Sequence, residues 1–215
     1  MKFYYPIFGI FVIFVLWQAY ERKKADKLSA KASEDFWQRE SDANNVRRKP
    51  LDNEDYITIP DEILVETLLP DYQNLSDEES VKELSSINDT LASLKDKRIL
   101  NLTGLTSTDI KEAYGVANLN TVSEYDDNYT LLVKTIARYG ELLVSLNCQN
   151  QATVVLEFGI DILTDITVNY KLLVGLYTES GQTEKIEHLK EVANKLNSLN
   201  KNVILDILKS SSISG

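Results

Sequence analysis

The sequence has little of what catalytic and metal sites are built from. Cys148 is the only cysteine and His188 the only histidine among 215 residues. A lone cysteine excludes a disulfide within the chain and any cysteine-based zinc site. His188 stands at helical spacing from Glu184 and Glu191, a pattern typical of an exposed, charged helix face. Glycine-rich phosphate loops, nucleophile elbows and kinase motifs are also lacking. We therefore expect no metal, no cofactor and no enzymatic activity.

Basic residues are scarce outside one short segment. Residues 21–49 carry nine Lys and Arg against six Asp and Glu, whereas residues 50–215 carry 13 against 27. With Lys2, these segments give the formal net charge of −10. Binding a nucleic-acid backbone needs Lys and Arg clustered on one face. The acidic main body therefore argues against nucleic acid as a partner.

Charge is absent from residues 3–20, FYYPIFGIFVIFVLWQAY. As a helix this stretch would be ~27 Å long, at the short end of what crosses a bilayer. Two tyrosines lie near its start and Trp17 and Tyr20 near its end, where aromatic rings favour the membrane interface. The pattern predicts a transmembrane anchor over residues 1–20 that binds the lipid bilayer through residues 3–20.

The charges around this stretch predict its orientation. The basic segment ERKKADKLSAK follows it, whereas only Lys2 and the α-amino group precede it. The positive-inside rule then predicts a single-pass cell-membrane protein with its N-terminus outside and its C-terminal domain cytoplasmic. A cleaved signal peptide is the alternative, but it would place its basic residues first and needs a better cleavage site than WQAYERKK. A buried core helix fits less well, because the stretch is apolar on every side.

Residues 21–75 are expected to form a charged helix, to about residue 45, and then an extended linker. Proline blocks helix and biases the residue before it toward extended geometry. Three of the four prolines, Pro50, Pro60 and Pro70, lie in this linker. Its YITI sequence fits a short strand or a strip packed along the helical body.

Helix is predicted again from residue 76 onward. Ser76 and Glu79 have capping-box spacing, and an apolar stripe follows at Leu84, Ile87, Leu91 and Leu94. The stripe fits packing within its own domain better than a coiled-coil seam, since it covers under two heptads. We expect helices at 78–97 and 107–125, with a stop at Gly115, and a long helix over SEYDDNYTLLVKTIARYGELLVSL.

The chain aligns with itself at an offset of 34 residues. Large apolar positions, small positions and turn positions each fall in register. The aligned sets are Ile136/Tyr170/Ile204, Tyr139/Leu173/Ile207, Gly140/Val174/Leu208, Leu143/Tyr177, Asn147/Gly181, Ala152/Ile186 and Gly159/Ala193. Asn147 and Gly181 are the residue types that best tolerate the left-handed backbone of a hairpin turn.

A 34-residue helix–turn–helix of this pattern resembles the tetratricopeptide repeat (TPR). The clearest repeats are 133–166 and 167–200, followed by a truncated capping helix to residue 209. Matching residue types stand at Gly140, Tyr177, Ala152 and Ala193. Thr164 replaces the usual proline between repeats, and Lys190 replaces the usual aromatic.

The expected fold is therefore all-α: a transmembrane helix, a short extended linker, and a TPR-like α-hairpin solenoid over residues 76–215. Helices at 78–97 and 107–125 are expected to stack before the first repeat, and a helix at 194–209 to close the last. The layout, with its DYITIP and NLTG sequences, also resembles a family of uncharacterised membrane-anchored bacterial proteins.

The TPR resemblance implies a groove for a protein or peptide partner, lined by the first helix of each hairpin. Its residues would be Lys134, Ala137, Glu141, Ser145, Val168, Lys171, Gly175 and Thr178. Ala137 and Glu141 stand where the chaperone-binding subset of the family has Lys and Asn, so that activity is not expected. YITIPDEIL is a candidate to occupy the groove in cis.

These observations favour a membrane-anchored cytoplasmic adaptor or scaffold that binds an unknown protein partner through its helical repeats. Two alternatives remain at this point. One is a structural role in which residues 21–45 and 76–98 self-associate. The other is an exported, chaperone-like factor with its repeat domain outside the cytoplasm.

Overall fold

The computed structural model describes the backbone of residues 4–52 and 54–211 and the side chains of residues 9–52 and 54–210. Every regular element in these ranges is helical, which confirms the predicted all-α class. The α-helices are α1 (Tyr4–Asn44), α2 (Val65–Leu68), α3 (Glu78–Lys95), α4 (Ser107–Tyr114), α5 (Leu119–Ser145), α6 (Gln149–Asp161), α7 (Thr167–Glu179), α8 (Glu184–Lys195) and α9 (Lys201–Ser211). Short 3-10 turns lie at Asp61–Ile63, Tyr72–Asn74 and Val116–Asn118.

The chain divides into two compact units. The N-terminal unit, Met1–Lys49 with Thr106–Asn118, contains α1 and α4. The helical body, Pro50–Leu105 with Leu119–Gly215, contains the other helices. The helix predicted over 107–125 is therefore two elements. Of these, α4 belongs to the N-terminal unit and α5 to the helical body.

The structure contradicts the prediction of a membrane anchor. Over the part of the chain that it describes, no helix combines the length and the apolar character needed to cross a membrane. Although α1 is 41 residues long, its sequence carries charged residues at short intervals from Glu21 onward, and charged side chains are costly to bury in a hydrocarbon core. The predicted single-pass topology, N-terminus outside and C-terminal domain cytoplasmic, is thus wrong. Residues 1–3 and the side chains of 4–8, which that prediction also used, lie outside the described residues.

Within the N-terminal unit, α4 has well-formed ends. Thr106 Oγ1 accepts the backbone N–H of Asp109 at 3.2 Å, and Asp109 Oδ2 accepts that of Thr106 at 2.8 Å, which makes a capping box. Gly115 ends the helix, as predicted, at φ 81°. A Cβ at Gly115 would lie 2.4 Å from the carbonyl oxygen of Arg47, so the close backbone approach also requires glycine.

Polar contacts join α1 to α4. Arg39 donates two hydrogen bonds to Glu112, at 2.8 and 2.6 Å, and one to Asp109 at 2.6 Å. Glu40 accepts the hydroxyl of Thr108 at 2.6 Å and pairs with Lys111. We call these residues the clasp: Arg39, Glu40, Thr108, Asp109, Lys111 and Glu112. Ala43 is the one buried apolar side chain among the described residues of this unit.

The proline-containing segment packs into the helical body. Ile59, Ile63 and Val65 are at most 3% exposed. The Ile57 N–H donates to the Ile99 carbonyl at 3.0 Å, but no strand forms in the described part of this segment. Because these apolar side chains fill the core, the hypothesis that YITIPDEIL occupies the groove in cis is wrong.

The cap of α3 differs from the prediction. Asp77, rather than Ser76, is the N-cap, and its carboxylate accepts the backbone N–H groups of Glu79 and Ser80 at 3.2 and 3.3 Å. The acidic side chain thus satisfies two otherwise unpaired N–H groups at the positive end of the helix. The predicted apolar stripe is buried, as Leu84, Ile87, Leu91 and Leu94. Through its buried side, α3 packs against α5.

The odd-numbered helices of the body form a row. In this row α3 packs against α5, α5 against α7, and α7 against α9. The helix α6 contacts both α5 and α7, and α8 contacts both α7 and α9. The helices α6 and α8 therefore each fill the space behind two members of the row.

Positions 34 residues apart share their surroundings in this arrangement. Ile136, Tyr170 and Ile204 are each 0% exposed. Other predicted pairs are likewise buried, namely Tyr139/Leu173, Leu143/Tyr177 and Ala152/Ile186. The register read from the sequence therefore selects the residues that fill the core.

The turns also repeat. Asn147 and Gly181 have positive φ values, 57° and 72°, at the ends of α5 and α7. In each turn the next residue donates its N–H to a carbonyl five residues earlier, from Cys148 to Leu143 at 2.9 Å and from Gln182 to Tyr177 at 2.8 Å. The same bond forms after α6, from Thr164 to Gly159 at 3.0 Å, beside Leu163 at φ 62°. These are Schellman-type ends, which reverse the chain while satisfying the last helical carbonyls.

Two glycines allow α6 to approach its neighbours closely. A Cβ on Gly140 would lie 2.4 Å from Cδ2 of Leu156, and a Cβ on Gly159 would lie 2.4 Å from Nδ2 of Asn169. Both distances are well inside van der Waals contact, so the spacing of α5, α6 and α7 depends on the missing side chains.

The loop after α8 does not repeat the geometry of the earlier turns. The helix α8 ends at Lys195 with extended backbone at Leu196, so the predicted capping helix begins later than expected, at Lys201. Side-chain amides secure this loop to two others. Asn197 Nδ2 donates to the Gly104 carbonyl at 3.1 Å, and Asn200 Nδ2 donates to the Asp165 carbonyl at 3.2 Å.

Candidate functional site

The open sides of α5 and α7 lie next to each other in the row. Both helices are flanked within the row and covered from behind, α5 by α6 and α7 by α6 and α8. We infer from these contacts that one exposed stripe of α5 and one of α7 lie on the side of the body away from α6 and α8. We call this surface the α5/α7 face; its residues are Lys134, Arg138, Glu141, Ser145, Val168, Lys171, Gly175 and Thr178.

The structure exposes most of the predicted groove residues on α5 and α7. Six are exposed: Lys134, Glu141, Ser145, Lys171, Gly175 and Thr178. Val168 is half-buried. Ala137 is 8% exposed and belongs to the core rather than to the surface. Arg138 was not among the predicted residues, but the same helical stripe exposes it.

The hydroxyl groups of the face are bonded to their own helices. Ser145 Oγ donates to the Leu142 carbonyl at 2.7 Å, and Thr178 Oγ1 donates to the Val174 carbonyl at 2.7 Å. Each hydroxyl oxygen keeps its lone pairs for an incoming donor. The two hydroxyls can therefore accept a hydrogen bond from a ligand without losing their present ones.

Gly175 leaves bare backbone in the middle of α7. A Cβ built there meets nothing within 4 Å, whereas Gly140 and Gly159 have no room for one. The packing of the chain therefore does not require glycine at position 175. In a helix interior glycine costs about 1 kcal/mol relative to alanine.

One ion pair borders the face on the side of α3. Arg138 pairs through Nε with Glu83 of α3, whose side chain is 25% exposed. The Arg138 side chain is 61% exposed, so part of its guanidinium faces solvent. For the ammonium groups of Lys134 and Lys171, the described residues provide no ion-pair or hydrogen-bond partner.

A second polar cluster lies behind α7, and no sequence pattern predicts it. Glu157 accepts the Tyr177 hydroxyl at 2.7 Å and the Lys185 ammonium at 2.8 Å. The ammonium also lies 5.2 Å from the centre of the Tyr177 ring. Burial raises the pKa of Tyr177, and its hydrogen bond to Glu157 raises that pKa further, so the phenol remains a donor. The cluster ties α6, α7 and α8 together, and its irregular spacing carries no periodic signal.

His188 is exposed on α8, as its spacing predicts. Its Nδ1 lies 3.9 Å from Glu191 Oε2, and both side chains are mostly exposed, at 64% and 74%. Such an exposed contact contributes little to stability.

These elements define an all-α protein with an exposed, largely polar face on two neighbouring helices. Comparisons with models of known protein families, with curated proteins and with solved structures give no match. The resemblance to the tetratricopeptide repeat is not tested by these comparisons and stays a prediction.

Proposed function

We propose that this chain is a TPR-like scaffold that binds a polypeptide segment of a partner protein on the α5/α7 face. The Schellman-type turns at Asn147 and Gly181 support the repeat interpretation, as does the shared burial of positions 34 residues apart. Stacked hairpins of this kind present the first helix of each unit as one continuous surface.

Gly175 is the observation on which this proposal depends most. It is exposed on α7 between Lys171 and Thr178, at a helix-interior position that alanine would stabilise. Bare backbone there permits close approach by another main chain, which a large side chain would block. A ligand that lies across the face would place its main chain against this exposed backbone.

Substitution of Gly175 tests the proposal. The full chain would be expressed in its source cells as wild type, Gly175→Ala and Gly175→Trp, followed by cross-linking and identification of captured proteins. We expect wild type and Gly175→Ala to capture the same partner and Gly175→Trp to lose it. A Cβ at this position meets no other atom within 4 Å in the free protein, and the indole beyond it would cover the approach to the face.

The alanine variant is the matched control, because it removes the glycine without blocking the surface. Circular dichroism melts of both variants would show that each is folded. Identical partner lists for wild type and Gly175→Trp would mean that the face is not the binding surface.

A second candidate function is self-assembly through α1, and the exposure of its apolar side chains favours it. From Ile10 to Trp17 the large side chains are between 39% and 68% exposed. Exposed apolar patches of this kind mark interaction surfaces. Sedimentation velocity of the full chain would show concentration-dependent assembly that Phe11→Ser with Phe14→Ser weakens. A strict monomer at every concentration would exclude this candidate.

A further inference from the structure

The α5/α7 face differs in charge from the body that carries it. The helical body holds 12 Lys and Arg against 25 Asp and Glu, a formal net charge of −13. The face holds three cations, Lys134, Arg138 and Lys171, against one exposed acid, Glu141, and Arg138 is also paired with Glu83 of α3. We call the cations of this face, Lys134, Arg138 and Lys171, the basic island of an otherwise acidic unit.

The lysines of this island are free of internal partners, in contrast to several other cations of the body. Lys95 pairs with Asp61, and Lys185 pairs with Glu157. Within the described residues, Lys134 and Lys171 have no such carboxylate, although the unit has twice as many acids as bases. Two unpaired ammonium groups on adjacent helices form a surface suited to added negative charge.

We propose that the partner segment is an acidic peptide whose carboxylates pair with Lys134 and Lys171 while its main chain passes over Gly175. This inference rests on the proposed function and adds the chemistry of the ligand. Peptide carboxylates are single, spaced charges, which match ammonium groups on two helices. The outer nitrogens of Arg138 are a further donor site beside them.

Nucleic acid fits this island poorly. A phosphate backbone carries a dense row of negative charges and needs several Lys or Arg contacts. Three cations would contact a short part of such a chain, and the remainder would meet a body of net charge −13. A short acidic segment avoids that repulsion because its charge ends with the island.

The test uses a synthetic library of short peptides randomised at every position, applied to the immobilised full chain. Bound peptides are sequenced and compared with the input library. We expect enrichment of Asp and Glu on wild type of roughly two- to fivefold for each lysine contact. The double variant Lys134→Glu with Lys171→Glu should lose this enrichment and favour Lys and Arg instead.

A matched control has the same change of net charge elsewhere. Lys97 and Lys195 are also exposed, and neither has an ion-pair partner within the described part of the body. The variant Lys97→Glu with Lys195→Glu should keep the enrichment of acidic peptides. Melting curves of both double variants would confirm that the body is folded in each.

The outcomes separate this inference from the proposed function. If peptides bind without enrichment of acids and Gly175→Trp abolishes their binding, the acidic ligand is overturned while the binding face stands. Equal enrichment in the two double variants would overturn the pairing with Lys134 and Lys171. If no peptide binds wild type, or if Gly175→Trp leaves binding unchanged, both proposals fail. Tighter binding of a single-stranded oligonucleotide than of any selected peptide would overturn the acidic peptide in favour of nucleic acid.

Discussion

Each of the two units of this chain is stabilised by a different kind of internal contact. In the N-terminal unit, the described side-chain contacts between α1 and α4 are ion pairs and hydrogen bonds, with Ala43 the one buried apolar side chain. In the helical body, large apolar residues such as Leu173 and Ile136 are fully buried, and glycines set the helix spacing. The difference predicts that salt and pH act on the first unit and that changes of side-chain volume act on the second.

The largest expected effect is a cavity in the body. Leu173 is 0% exposed on α7, so Leu173→Ala should lower the free energy of unfolding by about 2–5 kcal/mol. Urea unfolding followed by circular dichroism measures this loss, which should be similar at low salt and at ~1 M salt. Leu131→Ala is the control: Leu131 is 44% exposed on α5, and its loss should change stability by less than about 0.5 kcal/mol. If Leu173→Ala and Leu131→Ala lowered the free energy of unfolding equally, Leu173 would not lie in a closely packed core.

The next effect comes from filling the gap between α5 and α6. Gly140→Ala places a Cβ 2.4 Å from the Leu156 side chain, and should destabilise by about 1–3 kcal/mol. In a Leu156→Ala background the same change should cost much less, because the clashing atoms are gone. A double-mutant cycle of urea unfolding measures the coupling. Additive costs would show that Gly140 does not set the spacing.

Much of the body was predictable because its signals are periodic. The 34-residue register identified Ile136, Tyr170 and Ile204 as equivalent, and all three are buried. Asn147 and Gly181 were recognised as turn positions because few residue types adopt positive φ. Leu163 gave no such signal, since leucine at φ 62° is held by the surrounding turn rather than by its own preference.

Features that depend on contacts between distant segments were not predictable. The clasp joins residues about seventy positions apart, such as Arg39 and Glu112, and charge pairs of that kind leave no periodic pattern. For the α5/α7 face, the TPR resemblance implied exposed positions at Lys134 and Lys171, and both are exposed. It implied the same for Ala137, which is buried, because a family resemblance does not show how closely α5 is packed in this chain.

Carboxyl groups of the clasp have lowered pKa values, which predict how the pairing of α1 with α4 depends on pH. Hydrogen bonds from Thr106, and then from Arg39, lower the pKa of Asp109 to about 2. Hydrogen bonds from Arg39 lower the pKa of Glu112. A carboxyl with a lower pKa in the folded state stabilises that state above its unfolded pKa, and the contribution is lost as pH falls through the folded value. Pairing of α1 with α4 should therefore weaken between about pH 4 and pH 2.

Spin labels on the two helices would measure this loss. Ser41→Cys on α1 and Ala113→Cys on α4 are exposed positions, and Cys148→Ser removes the native thiol. The distance distribution should be narrow at neutral pH and broaden as pH falls toward 2. Asp109→Asn is the informative variant, because broadening should then begin at higher pH. A distribution that stays narrow down to pH 2 would show that apolar contacts, and not the clasp, hold the helices together.

The smallest expected changes in stability come from replacing two glycines whose positions differ in backbone conformation. Neither Gly175 nor Gly181 has an atom within 4 Å of its would-be Cβ, but Gly181 has φ 72° whereas Gly175 is helical. Gly175→Ala should stabilise the body by roughly 0.5–1 kcal/mol, since alanine favours helix. Gly181→Ala should destabilise it by about 1 kcal/mol, because an L-residue is strained at that φ. Urea unfolding of both variants measures the difference. Opposite signs would show that the body depends on backbone geometry as well as on packing, whereas equal signs would mean that the turn at Gly181 adjusts at no cost.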